Sequence, residues 1–163
     1  MKRLLRTLVA FIALLLVLLA ASPGLLYFAG LADIHGRPEP GVFPPLSVEQ
    51  QNWLRCELRA ADNDKPAVNN PWRLVWGILQ DDPAPHYGDR VAALVARNYA
   101  VDNRNQKDGL SWQLSWASLT IWVARHWTLE QMESGAHEAL HKAHRYQCEP
   151  GPAEWPQSPP AQP

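Results

Sequence analysis

One stretch of the chain has the residue types and spacing of a metal-dependent hydrolase. His137 and His141 flank Glu138 in the order His-Glu-Ala-Leu-His, which is the H-E-x-x-H pattern. On a helix, residues four apart share a face, so both imidazoles can bind one Zn²⁺ while the glutamate activates the metal-bound water. A zinc hydrolase is therefore one alternative for this chain.

The rest of the sequence gives this motif little support. A third protein ligand should follow on a later element, and the chain after residue 146 offers only Glu149 and Glu154. His144 is on the same predicted helix but, seven residues after His137, it points partly away from the other two histidines. We therefore expect the three histidines to lie on an exposed polar face, and we assign no metal ligand, no catalytic residue and no cofactor.

Two other sets of charged residues are candidates for a site. Four acidic residues in predicted loops are a possible carboxylate cluster, although solvated loop charge is the favoured interpretation: Asp62, Asp64, Asp81 and Asp82. Three arginines are candidates for binding an anionic ligand such as a lipid pyrophosphate, although ordinary ion pairs are favoured: Arg97, Arg104 and Arg125.

Composition excludes some classes of function. The 163 residues carry a net charge of -1, whereas nucleic-acid binding requires a basic surface that displaces phosphate counterions. The sequence also contains no G-x-S-x-G motif, P-loop or glycine-rich nucleotide loop. Its length is enough for one small domain and an anchor.

The elements that would position these residues are predicted to be helices. The most apolar stretch after the N-terminus is 110–127, which holds four of the eight tryptophans. One apolar line follows helical spacing through it, namely Leu110, Leu114, Ala117, Ile121 and Ala124. A helix that is apolar over so much of its surface is normally packed on several sides. We expect this helix to be the centre of the core.

Four further helices surround it in the prediction. Ser47 with Gln50, and Thr128 with Gln131, have capping-box spacing. Pro71 suits the first turn of a helix, and Asp89 suits an N-cap. The predicted ranges are 47–61, 71–80, a helix from 89, and 129–146. No stretch alternates like a β-strand, so the fold class is all-α with about five helices.

The N-terminus predicts a membrane anchor. Lys2, Arg3 and Arg6 precede an uncharged apolar run over 8–31, which is long enough to span a bilayer with a kink at Pro23. The positive-inside rule then places the N-terminus in the cytoplasm and the rest outside the bacterial inner membrane, in the periplasm. A cleaved signal peptide is the rival interpretation, but the residues around 19–23 make a poor cleavage site.

The predicted organisation has four parts. Residues 1–31 are the cytoplasmic N-terminus and anchor, 32–46 a proline-rich linker, 47–147 the helical domain, and 148–163 a proline-rich disordered tail. Cys56 and Cys148 both fall outside the membrane, where an oxidising compartment permits a disulfide. Two buried free thiols are the alternative.

Three segments resemble a known family. Residues 95–99, Val-Ala-Arg-Asn-Tyr, are followed after a polar spacer by 122–132, Trp-Val-Ala-Arg-His-Trp-Thr-Leu-Glu-Gln-Met, and by the alanine-containing helix 135–146. Together they look like part of the peptidoglycan glycosyltransferase (transglycosylase) domain of membrane-anchored penicillin-binding proteins. The single anchor and the outside location agree with that family, and the resemblance covers about residues 48–147.

The catalytic residues that the resemblance implies are absent. The place of the family's catalytic glutamate reads Arg-Ala-Ala-Asp-Asn-Asp-Lys over 59–65. The family's Arg-Lys pair falls at Trp112 and Gln113, and its second glutamate falls at Trp116. A tryptophan cannot act as a base or stabilise a developing charge as a carboxylate does. The resemblance therefore implies a degenerate relative with no carried-over catalytic role.

We accordingly expect a non-catalytic envelope module that binds a protein partner or a lipid-linked glycan. Exposed aromatic side chains would form the contact, because they concentrate binding energy. The first alternative is residual peptidoglycan glycosyltransferase activity, for which Glu57 and Asp62 are the nearby acidic candidates. The zinc hydrolase is the second.

Overall fold

The structure is a computed structural model and describes residues 2–41, 44–59, 66, 68–73, 76, 86–103, 105, 109–143 and 148. This part of the chain contains no β-strand, which confirms the all-α prediction. The helices are α1 (Lys2–Ala32), α2 (Val48–Glu57), α3 (Tyr87–Asn103), α4 (Gly109–His126) and α5 (Leu129–Ala143). Residues 71–73 and 76 are also helical, within the predicted range 71–80.

Helix α1 is long and apolar enough to cross a membrane over Arg6–Ala32. It runs through Pro23 without interruption. Over residues 6–21 every side chain is exposed, including a series of large leucine, valine and phenylalanine side chains. Water does not favour so much apolar surface on one helix, so this half of α1 is suited to a lipid environment.

The C-terminal part of α1 packs on α4. Pro23, Tyr27, Gly30 and Leu31 are buried and follow helical spacing along one side of α1. A Cβ atom at Gly30 would lie 2.6 Å from the backbone oxygen of Leu114. Only glycine allows the two helices to approach so closely at this point.

Two contacts show that α1 and α4 run antiparallel. Near the end of α1, the hydroxyl of Ser115 donates to the carboxylate of Asp33 over 2.8 Å. Earlier in α1, the guanidinium carbon of Arg125 lies 5.5 Å from the centroid of the Tyr27 ring. The C-terminal end of α4 therefore lies beside the part of α1 that is closer to the exposed apolar half.

The segment that follows α1 packs against the end of α3. The backbone N–H of His35 donates to the carbonyl of Asn103 over 2.7 Å, and the N–H of Asn105 donates to the carbonyl of Asp33 over 2.8 Å. Ile34 and Leu46 are buried in the core. The described part of the predicted linker 32–46 thus contributes to the domain.

Helix α4 lies in the core as expected, between α1 and α3. Leu119, Ile121 and Val123 are almost completely buried on it. The prediction is wrong at Leu110, which is 83 % exposed. Leu110 lies in the first turn of α4, about one turn before Leu114 and Ser115, which contact α1.

Both capping boxes are confirmed. At the start of α2, the N–H of Gln50 donates to the Ser47 hydroxyl over 3.3 Å, and the N–H of Ser47 donates to the Gln50 side chain over 2.8 Å. At the start of α5, Thr128 and Gln131 make the same pair of bonds at 3.3 and 2.8 Å. These bonds satisfy donors that the first turn of a helix leaves open.

The predicted N-cap of α3 is wrong. Helix α3 begins at Tyr87, so Asp89 lies inside its first turn and is buried. The carboxylate of Asp89 accepts a hydrogen bond from the backbone N–H of Val68 over 2.9 Å. Asp89 therefore holds a distant segment of the chain, a role that local sequence does not reveal.

Cys56 and Cys148 form a disulfide, with Cα atoms 6.3 Å apart. The bond joins the end of α2 to the segment after α5, and it excludes the alternative of two free thiols. The backbone N–H of Cys148 also donates to the Glu57 carboxylate over 2.7 Å. The rest of the predicted tail lies outside the described residues.

Candidate functional site

The two histidines of the H-E-x-x-H motif have different surroundings. His137 is 3 % exposed on the inner side of α5, whereas His141 is exposed one turn later. Their ring centroids are 4.9 Å apart, and the Trp53 ring lies 5.2 Å from His137 and 6.2 Å from His141. The expected exposed polar face is thus wrong for His137, because Trp53 of α2 covers it.

Glu138 does not join these two rings in a metal site. Its carboxylate forms an ion pair with Lys142 over 2.6 Å, one turn along the same helix. No group of three histidine, cysteine, aspartate or glutamate side chains within the described ranges is arranged to hold a metal ion. His144, Glu149 and Glu154 lie outside those ranges. The described geometry therefore provides two imidazoles and no third ligand.

Burial has a chemical consequence for His137. Removal from water, and then the charge of neighbouring His141, lower the pKa of His137 from 6.5 to about 4. Both effects disfavour the imidazolium form. At neutral pH His137 is an uncharged aromatic residue that packs edge-on against Trp53, with an interplanar angle of 69°.

A larger site is an open groove of about 560 Å³ between the end of α2, α3 and α4. Charged and aromatic side chains line it, with three arginines and two carboxylates. The lining includes Glu57, Arg59, Asp89, Arg90, Arg97 and Trp116. The arginines outnumber the carboxylates, so the groove favours an anionic or polar ligand.

The carboxylates of the groove hold backbone groups. Glu57 accepts the N–H of Cys148 at 2.7 Å, and Asp89 accepts the N–H of Val68 at 2.9 Å. Both residues thus fix the chain segments next to the groove.

Other groove residues also stabilise its walls. Arg90 donates to the carbonyl of Leu58 over 2.8 Å, and the indole N–H of Trp116 donates to the carbonyl of Ala93 over 2.8 Å. Arg97 is exposed on α3. Arg90 and Arg97 are seven residues apart, which is two turns on one helix face, and this spacing is the signal of the groove that the sequence contains.

The predicted arginine cluster is divided between different surroundings. Arg97 lines the groove, whereas Arg125 lies over the Tyr27 ring and donates to the backbone carbonyl of Asn69. Arg104 and the four loop aspartates, Asp62, Asp64, Asp81 and Asp82, lie outside the described residues. The structure thus brings Arg97 together with Arg59 and Arg90, which the sequence analysis had not selected.

A buried polar contact between α3 and α5 was also missed. The hydroxyl of Tyr87 donates to the carboxylate of Glu133 over 3.0 Å, and both residues are buried. The guanidinium of Arg55 lies 4.5 Å from the centroid of the Tyr87 ring. These residues come from three separate helices, so no spacing along the chain indicates that they meet.

Trp116 stands where the family resemblance implies a carboxylate, and it forms part of the groove wall. An indole provides an apolar surface and one donor, and that donor is already bonded to Ala93. The chemistry that this wall can offer is therefore packing against a ligand.

Comparison with family models, curated proteins and solved structures finds no match to the chain. The relationship to the peptidoglycan glycosyltransferases stays a prediction.

Proposed function

We propose that this chain is a single-pass protein of the bacterial inner membrane whose helical domain, on the periplasmic side, is a non-catalytic binding module. The observation that carries the proposal is the division of α1. Its first half exposes apolar side chains, and its outer half is part of the domain core. A helix of this kind holds a folded domain directly at a membrane surface.

Two features support the orientation. Lys2, Arg3 and Arg6 precede the apolar run, as in segments whose N-terminus stays in the cytoplasm. The disulfide between Cys56 and Cys148 belongs to an oxidising compartment such as the periplasm. Both features support a periplasmic location for the domain.

The groove supports binding more than catalysis. Its two carboxylates accept hydrogen bonds from the chain, and Trp116 occupies one wall. Arg97 remains exposed beside them. The partner that fits is a protein or a lipid-linked glycan with negative charge, held by guanidinium groups and packed on the indole.

Orientation is tested by fusing alkaline phosphatase or green fluorescent protein to the C-terminus in bacterial cells. We expect an active phosphatase and a dark fluorescent protein, because the first needs an oxidising compartment and the second does not mature after export in unfolded form. A fluorescent fusion with an inactive phosphatase would refute the periplasmic location.

Binding is tested with a photo-crosslinking amino acid at Arg97, and a matched position at Glu130, which is exposed on α5 and is not among the groove residues. In living cells we expect a discrete crosslinked product from position 97 and none from position 130. Equal labelling at both positions, or none at position 97, would contradict a specific partner in the groove.

Residual glycosyltransferase activity is the alternative, and one observation favours it: Glu57 lies on the groove. The test is incorporation of a labelled lipid-linked disaccharide by the full chain and by Glu57→Gln. We expect no incorporation by either protein. Incorporation by the natural chain that is lost in Glu57→Gln would replace the binding module with an enzyme.

A further inference from the structure

The last turn of α4 is the part of that helix nearest to the exposed half of α1. Burial along α1 begins at Pro23, and Arg125 of α4 lies against Tyr27, one turn after Pro23. In the same turn of α4, the Trp122 ring stacks on His126 with centroids 4.3 Å apart. An aromatic and basic surface therefore lies beside the point where α1 leaves the domain.

A second segment extends this surface. Arg125 donates to the carbonyl of Asn69, which places 69–73 next to the same turn of α4. Trp72 and Trp76 are both helical, and their side chains are 53 % and 62 % exposed. We call these two exposed indoles the aromatic patch.

The length of α1 indicates the depth of Tyr27, and therefore of Arg125, which lies against it. Residues 7–32 carry no charge and separate Arg6 from Asp33. These 26 residues span about 39 Å as a helix, close to the roughly 40–45 Å of a bilayer with its headgroups. With Arg6 and Asp33 in opposite headgroup regions, Tyr27 lies about 9 Å deeper than Asp33, near the edge of the hydrocarbon.

We propose that the surface formed by 69–73, Trp76 and 122–126 docks on the outer leaflet of the bilayer that α1 spans. This inference rests on the proposed membrane anchoring. Tryptophan is enriched at this depth, because its ring is apolar and its N–H is polar. The surface carries Arg73 and Arg125 and no acidic residue, which suits the phosphates of anionic lipids.

The test uses the full chain in vesicles of phosphatidylethanolamine and phosphatidylglycerol, with acyl chains brominated close to the headgroup. Bromine quenches tryptophan emission only on contact. We expect the double variant Trp72→Phe and Trp76→Phe to lose a much larger share of the quenchable emission than Trp112→Phe. Trp112 is the matched control, because it lies at the opposite end of α4.

The outcomes separate the two proposals. A chain that floats with the vesicles, while the double variant and Trp112→Phe lose equal quenchable emission, overturns the docking and leaves the anchor intact. Efficient quenching of Trp72 and Trp76 by aqueous acrylamide also overturns it, because the patch would then face water and be open to a protein. A chain that does not float with the vesicles refutes the membrane anchoring itself.

Discussion

At the scale of single residues, His137 shows how packing decides the chemistry of a motif. The order His-Glu-Ala-Leu-His permits a zinc site, but Trp53 covers one histidine and Lys142 pairs with the glutamate. What remains is a neutral aromatic ring in the core. Burial of this ring lowers the stability of the domain at low pH, because the histidine binds a proton more readily in the unfolded chain than in the folded one.

We predict that His137 makes the domain less stable in acid. The pKa of His137 is about 4 in the folded chain against 6.5 in the reference state, so the unfolded state binds more protons between these values. The effect of His137 on the free energy of unfolding is therefore absent above pH 6.5. Below that value the free energy of unfolding falls as the pH drops toward 4, by up to about 1.4 kcal/mol per pH unit.

Denaturant unfolding of the full chain in detergent, at pH 7 and pH 4.5, measures this slope. His137→Gln should remove most of it, since glutamine has no proton to bind in this range. His35→Gln is the matched control, because the His35 side chain is exposed. An unchanged slope in His137→Gln would show that other groups cause the acid sensitivity.

At the scale of helices, Gly30 allows the close contact between the anchor and the core. A methyl group there would meet the Ser118 side chain and the Leu114 backbone, whereas a methyl group at Gly24 would meet nothing within 4 Å. The two glycines lie on the same helix, less than two turns apart. Substitutions at these two glycines therefore separate the effect of the packing contact at Gly30 from the effect of helix propensity, which both positions share.

We predict that Gly30→Ala destabilises the packing of α1 on α4 by about 1–3 kcal/mol, the usual cost of overpacking. Gly24→Ala should be neutral or slightly stabilising, because alanine is the better helix former. Protease resistance of the chain in vesicles, scored at the α3–α4 connection, measures the effect. Equal resistance of the two variants would show that Gly30 is not a packing constraint.

The sequence predicted those features of the helices that depend on neighbouring residues. The capping boxes at Ser47 and Thr128 involve residues only three apart, and both are confirmed. Asp89 was misread because its hydrogen-bond partner, Val68, is 21 residues away. Leu110 was misread because periodicity identifies an apolar face but not where the neighbouring helix stops covering it.

The candidate site was less predictable than the fold for the same reason. The groove combines the end of α2, two turns of α3 and a tryptophan of α4. Each residue is ordinary in its own helix, and only the packing of the helices brings Arg59, Arg90 and Arg97 to one cavity. The seven-residue spacing of Arg90 and Arg97 places both on one face of α3, whereas nothing in the sequence relates Arg59 to them.

At the scale of the whole molecule, the disulfide connects the two ends of the helical domain. Cys56 and Cys148 are 92 residues apart, and they enclose the second half of the fold from α3 to α5. A cross-link over so long a loop removes much conformational freedom from the unfolded chain. Helix α2 packs on α5 through Trp53, which lies against His137, and the bond reinforces this packing.

We predict that replacing both cysteines by serine lowers the free energy of unfolding by about 2–5 kcal/mol. Thermal unfolding in detergent measures the loss, and addition of a reductant to the natural chain should reproduce it. The reductant should not affect the double-serine variant, which serves as the control. If reductant did not change the unfolding temperature of the natural chain, the cross-link would add no stability.

The packing of α1 on α4 has a mechanical consequence. Tyr27, Gly30 and Leu31 belong to the candidate membrane-spanning helix and are also buried against the domain, so α1 and the domain move together. Helices adjust to a thinner bilayer by tilting, and here any tilt of α1 must carry α4 with it. In the proposed anchored state, bilayer thickness then sets the angle between the groove and the membrane.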